Sequence, residues 1–212
     1  MDGARRDCAI RAAERGDADL IADILAEAFA GDPVMNWTFG GAGAFRTVFR
    51  ELARGVYLKD GFGHLAGGSS GDWAATLWLP KGVEIKLPMA NELRIAAAAL
   101  LHHGPASIRR AQKTAAVLAR HHPHEPHYYL FAVGVRNSAQ GNGLGGRLIR
   151  EGLKRAEKDG APAYLENSNP KNTPLYERLG FEVIAPLPLP DGAPPLLAMM
   201  RPAQPGLAGG AS

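Results

Sequence analysis

The sequence predicts a mixed α/β domain, and three patterns along the chain support this fold class. Segments with helical spacing alternate with short apolar runs that are typical of strands. In the second half, strands at 128–135 and 162–167 flank a helical pattern, an order that favours a right-handed crossover between parallel strands. Turn residues around 186–195 predict that the last two strands pair antiparallel. The sheet is therefore expected to contain both kinds of pairing.

The first half is predicted to contain a short strand, two helices and a hairpin. The strand is expected within 8–13, and apolar residues at helical spacing predict a helix between Asp17 and Gly31. The segment "DPVMNWTFG" is expected to interrupt the helical pattern. A second apolar stripe predicts a helix over 44–60, and the glycines and serines after residue 66 predict the turn of a hairpin over 61–79.

The second half continues the alternation. Residues 88–120 are rich in alanine and predict two helical stretches that "HHGP" separates. After the crossover unit, a short helix is expected in "NTPLYERLG", followed by two strands. The order shows no repeat and no clear linker. One domain is therefore expected over residues 1–202, with residues 203–212 as a flexible tail.

Composition excludes several classes of protein. The 212 residues include 24 Lys and Arg against 21 Asp and Glu, a net charge of +3 that is too small to indicate nucleic-acid binding. Cys8 is the single cysteine, so no disulfide framework can form and a reducing compartment fits. The first residues lack the apolar core of a signal peptide, and "IAAAALL" is too short to span a membrane. A cytoplasmic monomer or homodimer without a membrane partner is expected.

A glycine-rich loop precedes an amphipathic helical pattern at "QGNGLGG", residues 140–146. Such a run lets several backbone N–H groups converge on an anion at the positive end of a helix, so a phosphate-type ligand is expected. A glycine turn without a ligand is the alternative. Gly141, Gly143 and Gly146 also fit G-x-G-x-x-G with Glu166 as a ribose-binding acid, although the five residues between strand and loop disfavour a dinucleotide site. No Lys-Ser/Thr follows, so a P-loop is excluded.

Three linked motifs resemble the GNAT family of N-acetyltransferases. Gln140, Gly143 and Gly145 fit the Gln-x-x-Gly-x-Gly loop that binds the pyrophosphate of acetyl-CoA in that family. The segments "YLEN" and "LYERLGF" follow in the family's order. The resemblance implies the GNAT-type acyl-CoA N-acyltransferase fold, a mixed twisted sheet with helices on both faces.

The same resemblance implies an activity. Acetyl-CoA would be the co-substrate, without a metal, and the acetyl group would pass directly to the amine of a small molecule in a ternary complex. An aminonucleoside antibiotic, and hence a role in antibiotic resistance, is among the acceptors considered, as is another metabolite. The alternatives are a noncatalytic acetyl-CoA-binding module that regulates a partner, and a nicotinamide-dependent oxidoreductase.

The resemblance also implies a binding site for acetyl-CoA. The strand at 128–135 should separate from its neighbour at 162–167, so that the pantetheine arm enters the gap like an added strand. Gly134 is expected to mark a bulge or a close approach there. The residues expected to contact acetyl-CoA are Val133, Gly134, Val135, Gln140, Gly141, Asn142, Gly143, Leu144, Gly145, Gly146, Asn169, Asn172 and Tyr176.

Two residues are the candidates for catalysis. Tyr176 is expected to be the general acid that protonates the departing thiolate, and a packed aromatic residue is the alternative. Glu166 is expected to be the general base or the amine anchor, and a structural ion pair is the alternative. Residues of second rank for binding the substrate are Asp32, Trp37, Glu125 and His127. A metal site in the nearby "HHPHEPH" is not expected, because two prolines interrupt its spacing.

Overall fold

The computed structural model describes residues 8–69, 71–190 and 192–204. The strands are β1 (Ala9–Ala12), β2 (Phe62–Gly68), β3 (Gly71–Leu79), β4 (Tyr128–Val135), β5 (Ala163–Asn167), β6 (Glu182–Pro186) and β7 (Leu197–Arg201). They form one seven-stranded sheet in the order β1-β2-β3-β4-β5-β7-β6. Only β4 and β5 pair parallel, and every other neighbouring pair is antiparallel. The predicted mixture of pairings is confirmed.

Helices lie on both faces of this sheet. They are α1 (Ala18–Ala28), α2 (Pro33–Phe39), α3 (Phe45–Leu52), α4 (Met89–His103), α5 (Pro105–His121), α6 (Leu144–Lys158) and α7 (Thr173–Glu177). The larger core packs α1, α3 and the turn after α3 on one face, with residues such as Leu25, Phe49 and Tyr164 fully or almost fully buried. On the other face, α6 and α7 contribute Ile149 and Tyr176 to a second core. The predicted fold class, including helices on both faces, is confirmed.

Two local predictions need correction. The segment from Asp32 to Gly40 was expected to interrupt the helical pattern, but it contains α2, with Pro33 at the first helical position and Asp32 as the N-cap. Proline is favoured at that position because its missing N–H has no partner there in any helix. The predicted helix over 44–60 is α3 followed by a π-helical turn, Ala53–Tyr57, which buries Val56 and Tyr57 in the larger core.

The predicted connections in the second half are confirmed. β4, α6 and β5 form the crossover between parallel strands, and β6 and β7 form the antiparallel pair. The sequence did not indicate that β7 inserts between β5 and β6 rather than adding at the edge. Of the predicted tail, residues 205–212 lie outside the described residues.

Gly152 gives a test of how tightly α6 packs on the sheet. A Cβ at this position would lie 2.5 Å from Trp78 Nε1 and 2.7 Å from Trp78 Cζ2, and Trp78 is fully buried. We expect Gly152→Ala to lower the free energy of unfolding by about 1–3 kcal/mol, the cost of overpacking a core. Urea unfolding measures this. Gly145→Ala is the control, because its Cβ would meet only ordinary contacts at 3.6 and 3.7 Å; equal destabilisation by both variants would contradict the packing argument.

Candidate active site

A gap opens between β4 and β5 at the centre of the sheet. The two strands pair only at Tyr128–Ala163 and Tyr129–Tyr164. β4 then continues to Val135 and β5 to Asn167 with no further pairing between them among the described residues. The strands therefore leave backbone groups available along the sides of the gap.

A bulge in β4 lies at the point where this gap begins. Leu77 of β3 pairs with Ala132 and Trp78 pairs with Leu130, so Phe131 is the extra residue. Its ring stacks on Tyr57, with 4.3 Å between the ring centroids. The expected bulge thus lies at Phe131, and Gly134 instead marks a close approach to α1.

Gly134 approaches α1 so closely that a side chain would not fit. A Cβ there would lie 2.8 Å from Leu25 Cδ2 and 2.9 Å from Ala28 Cβ. Glycine at this position is therefore required by packing against α1, whatever the neighbouring backbone binds.

The backbone groups of Val133 and Val135 point into the gap. The Arg136 N–H donates to the Trp73 carbonyl over 2.8 Å, which makes these two residues a hydrogen-bonded pair of the antiparallel ladder. Such pairs alternate with unbonded ones, so Val133 and Val135 direct their N–H and C=O groups away from β3. In agreement, the Val135 carbonyl accepts a bond from the Gln140 side chain over 3.1 Å.

The glycine loop leads from β4 into α6. Gly141 and Gly143 adopt φ angles of 79° and 73°, in the left-handed region that favours glycine, and Gly143 is the N-cap of α6. Throughout the described chain, no acceptor takes a hydrogen bond from the N–H groups of residues 141–146. The loop therefore presents free N–H groups at the positive, N-terminal end of α6, which is fifteen residues long.

Two side chains that were expected to contact the coenzyme also shape this loop. Gln140 Nε2 donates to Asn137 Oδ1 over 3.1 Å, besides its bond to Val135. Asn142 Nδ2 donates to the Ala139 carbonyl over 3.2 Å. Both amides thus brace the turns that orient the free N–H groups.

Glu27 of α1 anchors the start of the loop, and no local sequence pattern signals this contact. Its carboxylate accepts from the Asn137 N–H over 2.9 Å and from Arg136 Nη1 over 2.6 Å. These bonds, the backbone one first, lower the pKa of Glu27. α1 is consequently fixed to the loop as well as to β4.

Glu166 lies on β5 beside the gap, in a group of aromatic and imidazole rings. Tyr129 donates its hydroxyl to Glu166 Oε2 over 2.6 Å. Glu166 Oε1 is buried and has no hydrogen-bond partner in the described part of the chain, and the side chain is only 8% exposed. Burial first, and then the charge of Glu166, raise the pKa values of Tyr57 and Tyr129.

Two histidines continue from Glu166 toward the surface. His122 Nδ1 lies 3.7 Å from Glu166 Oε1, and the His122 side chain is 29% exposed. His122 Nε2 lies 3.1 Å from His127 Nε2, and His127 Nδ1 lies 2.7 Å from the Glu125 carbonyl oxygen. Glu125 thus contributes its backbone carbonyl, while its side chain is exposed. We call Glu166, Tyr129, Tyr164, His122 and His127 the Glu166 cluster.

Tyr176 and Asp32 lie close together just beyond the C-terminal end of β5. Asp32 is buried, accepts from the Met35 N–H over 2.8 Å and accepts from Ser168 Oγ over 2.5 Å. Burial raises the pKa of Asp32. Burial also raises the pKa of the Tyr176 phenol, and the charge of Asp32 raises it further. The phenol therefore keeps its proton, and within the described ranges it donates to no acceptor.

Three asparagines shape the segment between β5 and α7. Asn167, which sequence reasoning missed, is buried, donates to Thr173 Oγ1 over 2.9 Å and accepts from the Asn169 N–H over 3.1 Å. Asn169 accepts from the Lys171 N–H over 3.2 Å. Asn172 is the N-cap of α7 but makes no side-chain cap bond. The segment that carries Tyr176 is therefore held mainly by Asn167.

Trp37 does not join either group. It lies on α2, where the Arg110 guanidinium of α5 stacks 5.9 Å from its ring centroid. No group of three or more His, Cys, Asp or Glu residues with the geometry of a metal site occurs among the described residues. In the same part of the chain, no helix combines the length and apolar character needed to cross a membrane.

Comparisons with known proteins find similarity to acetyltransferases. A model of the acetyltransferase (GNAT) family matches residues 94–181. The crystal structure of "histone acetyltransferase HPA2 and related acetyltransferase" from Corynebacterium glutamicum has 27% identity and a TM-score of 0.71, covering 94% of this chain and 98% of that one. Arylalkylamine N-acetyltransferase 2 from Aedes aegypti shares the fold, with 12% identity, a TM-score of 0.60 and coverage of 93% and 99%.

Curated relatives match over smaller shares of both chains. A mycothiol acetyltransferase of Streptomyces avermitilis is 27% identical over 186 residues, which cover 73% of this chain and 60% of that protein. An uncharacterized N-acetyltransferase of Schizosaccharomyces pombe is 41% identical over 54 residues, 26% of this chain and 22% of that protein. The chain thus spans less than two thirds of the length of these curated relatives.

The fold is that of the GNAT acetyltransferases, a mixed seven-stranded sheet with helices on both faces. The family model and the named relatives show that the chain is similar to acetyltransferases of the GNAT family.

Proposed function

We propose that this protein binds acetyl-CoA between β4 and β5 and transfers the acetyl group directly to the amine of a small molecule. The observation that carries the proposal is the gap itself. Val133 and Val135 direct backbone groups into it, and the glycine loop at its end presents N–H groups that have no acceptor among the described residues. A pantetheine arm could bond to β4 like an added strand while the loop binds the pyrophosphate.

The remaining expected contacts extend this coenzyme site. The pantetheine arm would lie along Val133, Gly134 and Val135. The pyrophosphate would be enclosed by the loop from Gln140 to Gly146, which includes Asn142 and Leu144. Asn169, Asn172 and Tyr176 would approach the arm from the side of β5 and α7. The coenzyme is acetyl-CoA as co-substrate, and no metal takes part in the proposed reaction.

Glu166 and Tyr176 supply the acid–base chemistry of the proposed transfer. Glu166 takes a proton from the ammonium form of the acceptor, and the free amine attacks the thioester carbonyl. The carbon–sulfur bond then breaks, and the CoA thiolate takes the phenolic proton of Tyr176. The attacking nitrogen loses its second proton to solvent as the amide forms, and the tyrosinate regains a proton from solvent. The buried carboxylate atom of Glu166 and the protonated phenol of Tyr176 support these roles.

The acceptor is proposed to be a small cationic amine with an apolar body. Glu166 provides the carboxylate of the site. The rings next to Glu166 are those of Tyr129 and Tyr164, and the rings of Phe131 and Tyr57 follow beside Tyr129. Aromatic faces and a carboxylate together suit such a cation. Asp32 and His127 lie near the two proposed catalytic residues, whereas Trp37 and Glu125 are weaker candidates for substrate contact.

A finer proposal for the acceptor comes from the sequence. The segments "HHPHEPHYYLFAVGV" and "PAYLENSNPKNTPLYERLGF" resemble puromycin N-acetyltransferase, so an aminonucleoside antibiotic is one acceptor to test. The release of free CoA thiol from acetyl-CoA can be measured across a panel of amines that includes puromycin. This assay tests both the proposed acetyl transfer and the proposed aminonucleoside acceptor. Turnover with puromycin would support the aminonucleoside. Turnover with another amine alone would reject it and keep the chemistry.

The noncatalytic alternative makes a different prediction in the same assay. If the protein is a regulatory module, acetyl-CoA would bind and raise the melting temperature of the protein, yet no thiol would be released with any amine. Stabilisation by NAD(P) instead of acetyl-CoA would favour the oxidoreductase. The intact pair of Glu166 and Tyr176 favours catalysis over both.

Gly143 allows the proposed pyrophosphate site to be tested without removing a charge. A Cβ at Gly143 would meet no atom within 4 Å, so Gly143→Ala would be strained only through its φ of 73°. That strain costs about 1–2 kcal/mol and would turn the loop N–H groups out of line. We expect acetyl-CoA to bind about tenfold more weakly by calorimetry, since about 1.4 kcal/mol is a factor of ten.

Gly31→Ala is the matched control for this prediction. A Cβ at Gly31 would also meet no atom within 4 Å, and the φ of Gly31 lies outside the left-handed region. We expect the affinity of this variant for acetyl-CoA to equal that of the wild type. Unchanged affinity in Gly143→Ala would argue against the loop as the pyrophosphate site.

A further inference from the structure

The direction of hydrogen bonding fixes the proton positions in the two histidines beside Glu166. The Glu125 carbonyl can only accept, so His127 Nδ1, 2.7 Å away, carries a proton and donates it. Neutral His127 then has a bare Nε2. His122 Nε2, 3.1 Å from that atom, must therefore be the protonated nitrogen of the pair.

The nitrogen of His122 that faces Glu166 is consequently the basic one. With its proton on Nε2, neutral His122 has a lone pair on Nδ1, and this atom lies 3.7 Å from Glu166 Oε1. That carboxylate oxygen is the one that is buried without a hydrogen-bond partner in the described chain. The other oxygen, Oε2, is already occupied by the Tyr129 hydroxyl over 2.6 Å.

We propose that His122 accepts from Glu166 the proton that the acceptor amine releases, and that His127 holds His122 in the tautomer required for this transfer. The inference rests on the proposed function. The amine proton passes to Glu166, the Glu166 carboxylic acid passes it to His122 Nδ1, and the resulting imidazolium releases it to water. Each transfer moves one proton and restores the carboxylate, so no other reactant is needed. His122 acts through Glu166 and is a positioning and relay residue rather than a catalytic one.

The surroundings of the two rings support this direction of transfer. The groups that face His122 are His127 and Tyr129 from β4 and the segment before it, and Tyr164 and Glu166 from β5. Glu166 is the acidic group among them, and its Oε1 is the atom nearest to His122 Nδ1 that the structure records as an ion-pair partner. Burial, and then the neighbouring His122, oppose protonation of His127, so its pKa lies below the ordinary value. His122 is the partly exposed ring of the pair, so it is the ring from which a proton can reach solvent.

Replacing His122 by alanine tests the relay. With the acceptor identified in the amine panel, we expect kcat of His122→Ala to fall at least tenfold near neutral pH and to rise with buffer concentration, because buffer must then take the proton from Glu166. Added imidazole should restore turnover, and rescue by substituted imidazoles should increase with their basicity. A merely structural role would show neither the buffer dependence nor the graded rescue.

His121→Ala is the matched control, since His121 is exposed and, within the described residues, its side chain hydrogen-bonds to the Val117 carbonyl of its own helix through Nδ1. It should retain wild-type turnover. His127→Phe keeps a ring but removes the acceptor that fixes His122, so we expect a smaller loss of kcat. His122→Ala turnover within twofold of the wild type, or a loss that imidazole does not restore, would overturn the relay.

A measurement without turnover tests the tautomer itself. In ¹⁵N NMR of the wild-type protein above neutral pH, we expect the His122 Nε2 to carry the proton and Nδ1 to be bare. The opposite tautomer would overturn the relay even if the enzyme is active. Absence of acetyl transfer by the wild type to every amine would overturn the proposed function, and the relay with it, whereas normal wild-type turnover with an unaffected His122→Ala variant would overturn the relay alone.

Discussion

Glu166→Gln is expected to lower kcat/KM by about 10²-fold or more, the range in which a positioned general base contributes. Glutamine has the shape of glutamate, and its side-chain oxygen can still accept the Tyr129 hydroxyl bond of 2.6 Å. The variant therefore removes the base with little change in packing. Steady-state release of CoA thiol measures the loss, and calorimetry should show that acetyl-CoA binds as tightly as before.

Glu151→Gln is a control for this substitution, because Glu151 pairs with Lys154 on the surface of α6. It should leave both activity and coenzyme binding unchanged. If Glu166→Gln retained more than a third of wild-type kcat/KM, Glu166 would be a structural residue or an amine anchor of minor effect. A loss confined to KM for the amine would favour the anchor over the base.

Tyr176→Phe is expected to lower kcat by about 10²-fold with little change in the affinity for acetyl-CoA. The substitution removes the proton donor for the thiolate and keeps the ring that packs on Phe181, 6.2 Å away between centroids. Because the hydroxyl donates to no acceptor in the described residues, the free energy of unfolding should change little. Stopped assays for acetylated amine and urea unfolding measure the two effects.

The control for the phenol is Tyr128→Phe. The Tyr128 hydroxyl donates to Asp159 over 3.0 Å, and Tyr128 belongs to the second core as Tyr176 does. We expect this variant to turn over at the wild-type rate. Wild-type turnover in Tyr176→Phe would remove the acid assignment and leave Tyr176 as a packed aromatic residue.

The pH dependence of the wild type should agree with the same assignment. Burial first, and then the charge of Asp32, raise the pKa of Tyr176 above its ordinary value of about 10. Tyr176 should therefore stay protonated over the whole pH range in which an unperturbed phenol is protonated, and also at higher pH. A loss of kcat between about pH 8 and 9 that disappears in Tyr176→Phe would contradict this direction of shift.

Much of the fold could be predicted from periodicity and turn residues, and particular elements show where this approach stops. The crossover from β4 through α6 to β5 follows from local patterns, because each element carries its own apolar spacing. The helix α2 was missed because it is seven residues long and too short for periodicity to dominate. Asp32 followed by Pro33 was nevertheless a helix-start signal in the sequence.

The site was predictable only in part, for a related physical reason. The glycine loop, Glu166 and Tyr176 were predicted from local motifs and from the family resemblance, and they remain predictions. The bond between Glu27 and Asn137 joins residues far apart in sequence, and nothing local marks it. His122 is one of four histidines in one segment, and the sequence does not distinguish it from the others. In the folded chain it is distinguished by the short distance between its Nδ1 and Glu166 Oε1.

The place of β7 in the sheet has a consequence for how the protein is made. β7 pairs with β5 along Leu197–Arg201 and with β6 on its other side, and Arg201 binds the Leu179 carbonyl and Glu157. On a ribosome, where the N-terminal part emerges first, β5 therefore keeps an open edge, and β6 has no neighbour in the sheet, until residues 197–201 have been synthesised. The strand that carries Glu166 is completed by one of the last described segments of the chain, so an unfinished chain would expose it to pairing with other polypeptides.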